Sequence, residues 1–157
     1  MSYVIQLSHI IINTKERKMV LNQEHKTDLF RYIWGIINNY KCRLYRINGI
    51  GNHIHMLVGL HQSVSLMELV REIKRSTSIW IKEQDNSPHF IGWSREYAAF
   101  SVSWETKDRV IEYIKAQEAH HTHVSFDEEY KNILLDHDIT EYESNKRNVF
   151  NVFPHLH

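Results

Sequence analysis

One ten-residue stretch, Gly51-Asn52-His53-Ile54-His55-Met56-Leu57-Val58-Gly59-Leu60, constrains the fold of this chain more than any other. Its alternation and its β-branched and long apolar residues read as a β-strand. Strand side chains point alternately to opposite faces, so Ile54, Met56, Val58 and Leu60 share one face and His53 and His55 the other. The first is the face of a core. The second presents two imidazoles side by side, close enough to share one metal ion. Alone, the pair also fits two idle histidines on the exposed face of a half-buried strand, since the chain has 12 histidines.

The 157 residues suffice for one domain with a real core. Apolar residues make up 42% and charged residues 24%, the proportions of an ordinary soluble globular protein. No apolar run approaches the roughly 20 residues that span a bilayer. The N-terminal Met1-Ser2-Tyr3-Val4 lacks the basic-then-apolar order of a signal peptide. Cys42 is the only cysteine, which excludes an internal disulfide and a thiolate metal cluster. A cytoplasmic location is expected. The net charge of zero hides a division: through Lys82 there are 12 Lys and Arg against 5 Asp and Glu, and from Glu83 onward 7 against 14. A basic face built by the first half could meet a polyanion, although the two halves could equally attract each other.

Along the chain, Tyr3 to Asn13 reads as a strand, and a charged loop, Lys15 to Lys18, follows. From about Asn22 to Tyr40 the period becomes helical, with Phe30, Ile33, Trp34 and Ile37 at i, i+3, i+4 and i+7. Lys41 to Gly49 returns to a strand, and Gly49 and Gly51 bracket the turn into the histidine strand. Ser65-Leu66-Met67-Glu68 is a capping box opening a helix to about Lys82, whose stripe includes Leu66, Leu69, Val70, Ile73, Thr77 and Trp80. A loop through Pro88 leads to a strand near Tyr97 to Val102, and a third helix is expected from Glu105 or Thr106 to Ala119. A second capping box, Ser125-Phe126-Asp127-Glu128, opens a shorter helix to about Leu135. The order β-α-β-β-α-β, then more helix, predicts an α+β fold: a ferredoxin-like (split βαβ) antiparallel sheet with helices on one face plus extra C-terminal helices. The histidine strand would be central and its imidazole face open. A catalytic domain over 1–138 and a tail over 139–157 are expected.

On the third helix Tyr113 and Gln117 stand at i and i+4, on one face. On spacing alone they also suit an amphipathic tyrosine at the core edge and a solvated amide. The His-hydrophobic-His strand, the form Tyr113-Ile114-Lys115-Ala116-Gln117 followed by His120-His121, and Tyr97-Ala98-Ala99-Phe100-Ser101-Val102-Ser103 between them together resemble one family. It is the small single-tyrosine transposases of the HUH nuclease superfamily, the type that moves the insertion-sequence 200/605 group. The resemblance runs from the first strand to the helix near Ser125. One departure is visible: Asn52 stands where the family often has an acidic residue, which leaves open what orients His53.

The resemblance implies that His53, His55 and Gln117 bind a divalent cation, Mg2+ or Mn2+. It implies that Tyr113 attacks a phosphodiester of single-stranded DNA with hairpin ends, giving a 5′-phosphotyrosine and a free 3′-OH. It also implies a homodimer in which the tyrosine helix of one subunit completes the histidine site of the other. For DNA contacts the sequence offers Arg71, Lys74 and Arg75 beside Ser76 to Ser78 on the second helix, and Arg43, Tyr45 and Arg46 on the second strand. His120, His121 and His123 are further candidate ligands or helix-end cations, and His155 and His157 an incidental pair. Three rivals compete. A non-catalytic single-stranded nucleic-acid-binding module would want stacking aromatics on the central strands, which the histidine strand lacks. A domesticated hairpin-processing nuclease would keep the chemistry. A zinc hydrolase would want a third histidine or a carboxylate.

Overall fold

The alternating stretch forms β3 (His53–Gly59), paired on both edges. With β1 (Leu7–Thr14), β2 (Arg43–Ile50) and β4 (Trp93–Val102) it makes an antiparallel sheet of order β2-β3-β1-β4. The computed structural model describes residues 1–84, 87–121 and 124–137, and the chain divides into two compact units, Met1–Glu118 and Ala119–His157. The tail expected from 139 onward lies outside the described residues, as do His123, His155 and His157.

In the first unit, one sheet face supplies Ile10, Ile12, Ile54, Met56 and Val58 to the main core. Against them pack α1 (Lys26–Asn39), through Leu29, Ile33, Ile36 and Ile37, and α2 (Leu66–Glu83), through Leu69, Val70, Ile73 and Ile81. The α2 start is the capping box read from the sequence, with Ser65 Oγ accepting from the Glu68 N–H at 3.1 Å. Thr77, the polar member of the α2 stripe, is satisfied inside the core. It donates to the Ile73 carbonyl at 2.6 Å and accepts from the Trp93 indole N–H at 2.8 Å. The opposite sheet face is covered by α3 (Lys107–Lys115), where Ile114 packs on Leu7 and Leu57 with Tyr45, Val110, Ile111 and Tyr113 around them. In the second unit α5 (Phe126–Asp136) opens on the other capping box, Ser125 Oγ accepting from the Glu128 N–H. Among the described residues no helix is long and apolar enough to cross a membrane.

The fold is the ferredoxin-like arrangement with a central histidine strand, but several details differ from the sequence reading. β1 starts at Leu7 because both neighbours end opposite it, at Gly59 and Val102, leaving Tyr3 and Ile5 exposed without a ladder. On α1 the buried stripe is turned by one position: Leu29 and Ile36 go inward and Trp34 outward. The expected single helix to Ala119 is broken at Ala116 (φ −90°, ψ 13°), and Gln117 begins a separate turn, α4 (Gln117–His120). The imidazole face is not open. His53 and His55 are both fully buried.

Gly49 shows how tightly β3 is held. It pairs with Ile54, and a Cβ on it would lie 2.2 Å from the His53 carbonyl oxygen and 2.9 Å from Ile54 Cα. Both obstacles are backbone, so the strand itself would have to move. We expect Gly49→Ala to cost about 2–3 kcal/mol, at the upper end of overpacking effects. A melting curve should show Tm lower by roughly 5–10 °C for a chain of this size.

Candidate functional site

His53 is oriented by Asn52, the residue that stands where an acid was expected. Asn52 Nδ2 donates to the Arg17 carbonyl at 3.2 Å, which turns the amide oxygen toward His53 Nδ1 at 2.8 Å. An amide oxygen only accepts, so in the neutral ring the proton sits on Nδ1 and Nε2 carries the lone pair. The Arg17 carbonyl is aimed by an unusual turn in which Glu16 (φ 59°) and Arg17 (φ 54°) are both left-handed. Non-glycine residues there cost about 1 kcal/mol or more each.

Opposite His53 Nε2, at 3.2 Å, stands the side-chain oxygen of fully buried Gln117. With the neutral ring's proton on Nδ1, the facing Nε2 and amide oxygen each have a lone pair to offer a cation. Two donors bound cis to an octahedral ion at about 2.1 Å would be about 3.0 Å apart. His55 completes the group, its ring centroid 5.1 Å from that of His53. The donor set and spacing therefore fit a divalent cation. Because the helix breaks at Ala116, Gln117 reaches His53 from α4 rather than as the i+4 neighbour of Tyr113 on one continuous helix.

Tyr113 arrives from α3, half-buried, its ring 5.8 Å from that of His55 and 75° to it. Two residues that sequence reasoning missed hold this arrangement. His9, on β1, places Nε2 2.8 Å from His55 Nδ1 and its ring 6.2 Å from that of Tyr113. Asn48, directly opposite His55 on β2, donates to the Lys115 carbonyl at 3.1 Å and accepts from the Gly49 N–H at 2.9 Å. The end of the tyrosine helix is thereby clipped to the sheet. His9 shares the parity of Leu7 and Ile11, so its face was readable; that this face is also the His53 and His55 face depends on strand pairing.

The family model described as "Transposase IS200 like" matches residues 3–117, from the N-terminus through Gln117. The chain belongs to the IS200-like transposase family. Its fold is also that of solved structures. A candidate transposase from Deinococcus radiodurans R1 is 24% identical with a TM-score of 0.58, the match covering 74% of this chain and 95% of that one. A REP-associated tyrosine transposase bound to a REP hairpin is 15% identical with a TM-score of 0.60, covering 79% of this chain and 73% of that one. No curated protein matches the sequence.

In this transposase the basic residues of α2 do not join the histidines. They lie on the helix packed under the opposite sheet face. Arg75 pairs with Glu72 at 2.7 Å within α2. Lys74 donates to the Arg95 carbonyl at 2.9 Å and sits over the Tyr97 ring, and burial lowers its pKa, with Glu96 partly offsetting. Arg71 is exposed. On β2 a bulge between Leu44 and Arg46 brings both Tyr45 and Arg46 to the face of α3, since Tyr45 packs against the cluster of Leu7, Leu57 and Ile114 and Arg46 pairs with Leu57. Trp104 stands edge-on to Tyr45 at 6.5 Å, and the Arg43 guanidinium lies 4.5 Å from the Tyr45 ring centroid. In the second unit His120 and His121 both face buried Glu129, at 3.4 and 3.1 Å, and His121 Nδ1 donates to the Val124 carbonyl.

Removing the Asn48 amide leaves the Lys115 carbonyl and the Gly49 N–H without that partner. We expect Asn48→Ala to cost about 1–3 kcal/mol. Hydrogen exchange should speed up over 112–117 and stay unchanged in α1 and α2; uniform acceleration would show that the clip is not local.

Proposed function

We propose that this transposase cleaves and rejoins single-stranded DNA through Tyr113, with His53, His55 and Gln117 holding a divalent cation, Mg2+ or Mn2+. The observation that carries the reading is the 3.2 Å approach of His53 Nε2 to the Gln117 side-chain oxygen, with a phenol beside the second histidine. A cation held there would act as a Lewis acid on a non-bridging phosphate oxygen, supplying several kcal/mol in the transition state. The three donors are uncharged, and imidazole suits Mn2+ at least as well as Mg2+.

The remaining work falls to the chain. Tyr113 supplies the nucleophile: its oxygen bonds to phosphorus, the bond to the 3′ oxygen breaks, and the phenol proton leaves as the 3′-OH is made. A free phenol, with a pKa of about 10, needs activation at neutral pH, so the chain must deliver it to a site that favours the phenolate. The phosphotyrosine conserves the ester bond, so attack by another 3′-OH rejoins DNA without an external energy source. Burial of His53, His55 and Gln117 beside half-exposed Tyr113 means that the strand approaches from the tyrosine side. On that side Tyr45 and Arg46, with Trp104 and Arg43, suit base stacking and phosphate contact. Arg71, Lys74 and Arg75, under the other sheet face, would touch DNA only away from the scissile phosphate.

In this reading the site is complete within one chain, in contrast to the exchanged tyrosine helix that the family resemblance implies. α3 already sits on its own sheet through Ile114, Leu57 and Leu7.

Incubating the protein with labelled hairpin single-stranded DNA and Mn2+ should give a covalent adduct that withstands denaturing electrophoresis. Tyr113→Phe should abolish it, and EDTA or His53→Ala should lower it at least about 100-fold, the scale of Lewis-acid assistance. An adduct undiminished by EDTA would sink the metal role. Mixed Tyr113→Phe and His53→Ala proteins should stay inactive; restored cleavage would instead establish a site shared between subunits.

A further inference from the structure

His55 lacks the amide that orients its neighbour. Asn52 takes the Nδ1 proton of His53, whereas His55 Nδ1 faces another imidazole, His9 Nε2, at 2.8 Å. At that separation one proton lies between the two nitrogens, and it can belong to either ring. If it sits on His9, a neutral His55 carries its own proton on Nε2 and offers a cation nothing there. If it sits on His55 Nδ1, then Nε2 keeps a lone pair, matching His53.

We propose that His9 is a positioning residue: its Nε2 accepts a hydrogen bond from the Nδ1–H of His55 and so holds His55 in the tautomer whose Nε2 binds the metal. The inference rests on the metal-binding reading above. Its geometry comes from the sheet. In the antiparallel register His9 opposes Leu57 and Ile11 opposes His55, so His9 sits diagonally from His55 on the same face. His9 is also directly opposite Phe100 on β4, whose ring lies 6.5 Å away at 64°. The Tyr113 ring stands edge-on at 6.2 Å. Nearly buried and flanked by these rings, His9 keeps its nitrogen on His55. Partners of this kind on metal-bound histidines are worth about 10–100-fold in metal affinity. No local sequence signal marks His9, because the interaction joins two strands 46 residues apart.

The test reads protons and metal rather than cleavage. In metal-free protein, nitrogen NMR of the histidine rings should find His55 protonated on Nδ1 and bare on Nε2. His9→Phe keeps a ring between Phe100 and Tyr113 but removes the acceptor. It should weaken Mn2+ binding, measured by calorimetry or Mn2+ EPR, about 10–100-fold and let the His55 proton move to Nε2. His9→Gln, whose side-chain oxygen can accept the same proton, should restore most of the affinity; with it in hand, a misfolded His9→Phe does not stall the test. Wild-type protein with the His55 proton on Nε2, or His9→Phe binding Mn2+ as tightly as wild type, would overturn the proposal. Wild-type protein that binds no Mn2+ would instead overturn the metal-binding reading, and the NMR measurement would still decide the tautomer.

Discussion

A strand paired on both edges cannot slip by one residue without turning every side chain to the opposite face. β3 is such a strand, and the site depends on its register. Ile54, Met56 and Val58 are held in the main core against α1 and α2, each side chain contributing about 1.5–3 kcal/mol by burial. A one-residue slip would push those three toward α3 and drive His53 and His55 among Ile33, Ile37 and Ile73. The placement of the two imidazoles is therefore enforced by residues on the other side of the sheet. Gly49 adds to this constraint, since its missing side chain lets β2 approach the His53 carbonyl. The β2 bulge turns Tyr45 and Arg46 to the same face.

On that face the geometry is a problem of proton placement. A chain of acceptors and donors runs from the left-handed turn at Glu16 and Arg17, through the Arg17 carbonyl and the Asn52 amide, to His53 Nδ1. The strain of two left-handed residues is sustained at a position whose effect is to aim one carbonyl. An amide serves here as well as a carboxylate would for orientation, because either oxygen accepts the Nδ1 proton. It differs in adding no charge beside the ring. The departure at Asn52 thus changes local electrostatics without removing the orienting bond.

Much of this was legible in the sequence. The alternation of β3 fixed which residues share its faces, and the two serine capping boxes marked the starts of α2 and α5. What escaped was set by tertiary contacts. The break at Ala116 has no glycine or proline to announce it, and alanine is the best helix former. In a continuous helix the Lys115 carbonyl would accept from the N–H four residues on; here Asn48 donates to it from β2. Trp34 and Leu29 are both compatible with an apolar stripe, and only the direction of the sheet decides which is buried. Lys74 and Arg75 read as a basic cluster, but Tyr97 and Glu72, the first distant in sequence and the second one turn away, already engage them. His9 was on the right face of its strand, yet periodicity within one strand cannot say which strand lies beside it.

Chain connectivity bears on whether the tyrosine helix can serve another subunit. β4 ends at Val102 and α3 begins at Lys107, so residues 103–106 are all that join them. Fully extended, four residues span at most about 14 Å. These four are not extended: the Thr106 N–H donates to Ser103, the two hydroxyls lie 2.9 Å apart, and the Lys107 N–H donates to the Trp104 carbonyl. The turn sends α3 back across the sheet that β4 has just left. In an exchanged pair the helix would make the same contacts on its partner's sheet, so packing energy barely separates the two arrangements, and the connection decides between them. Exchange would require this turn to open and its hydrogen bonds to be lost. The short connection is therefore the element that any exchanged arrangement would have to open.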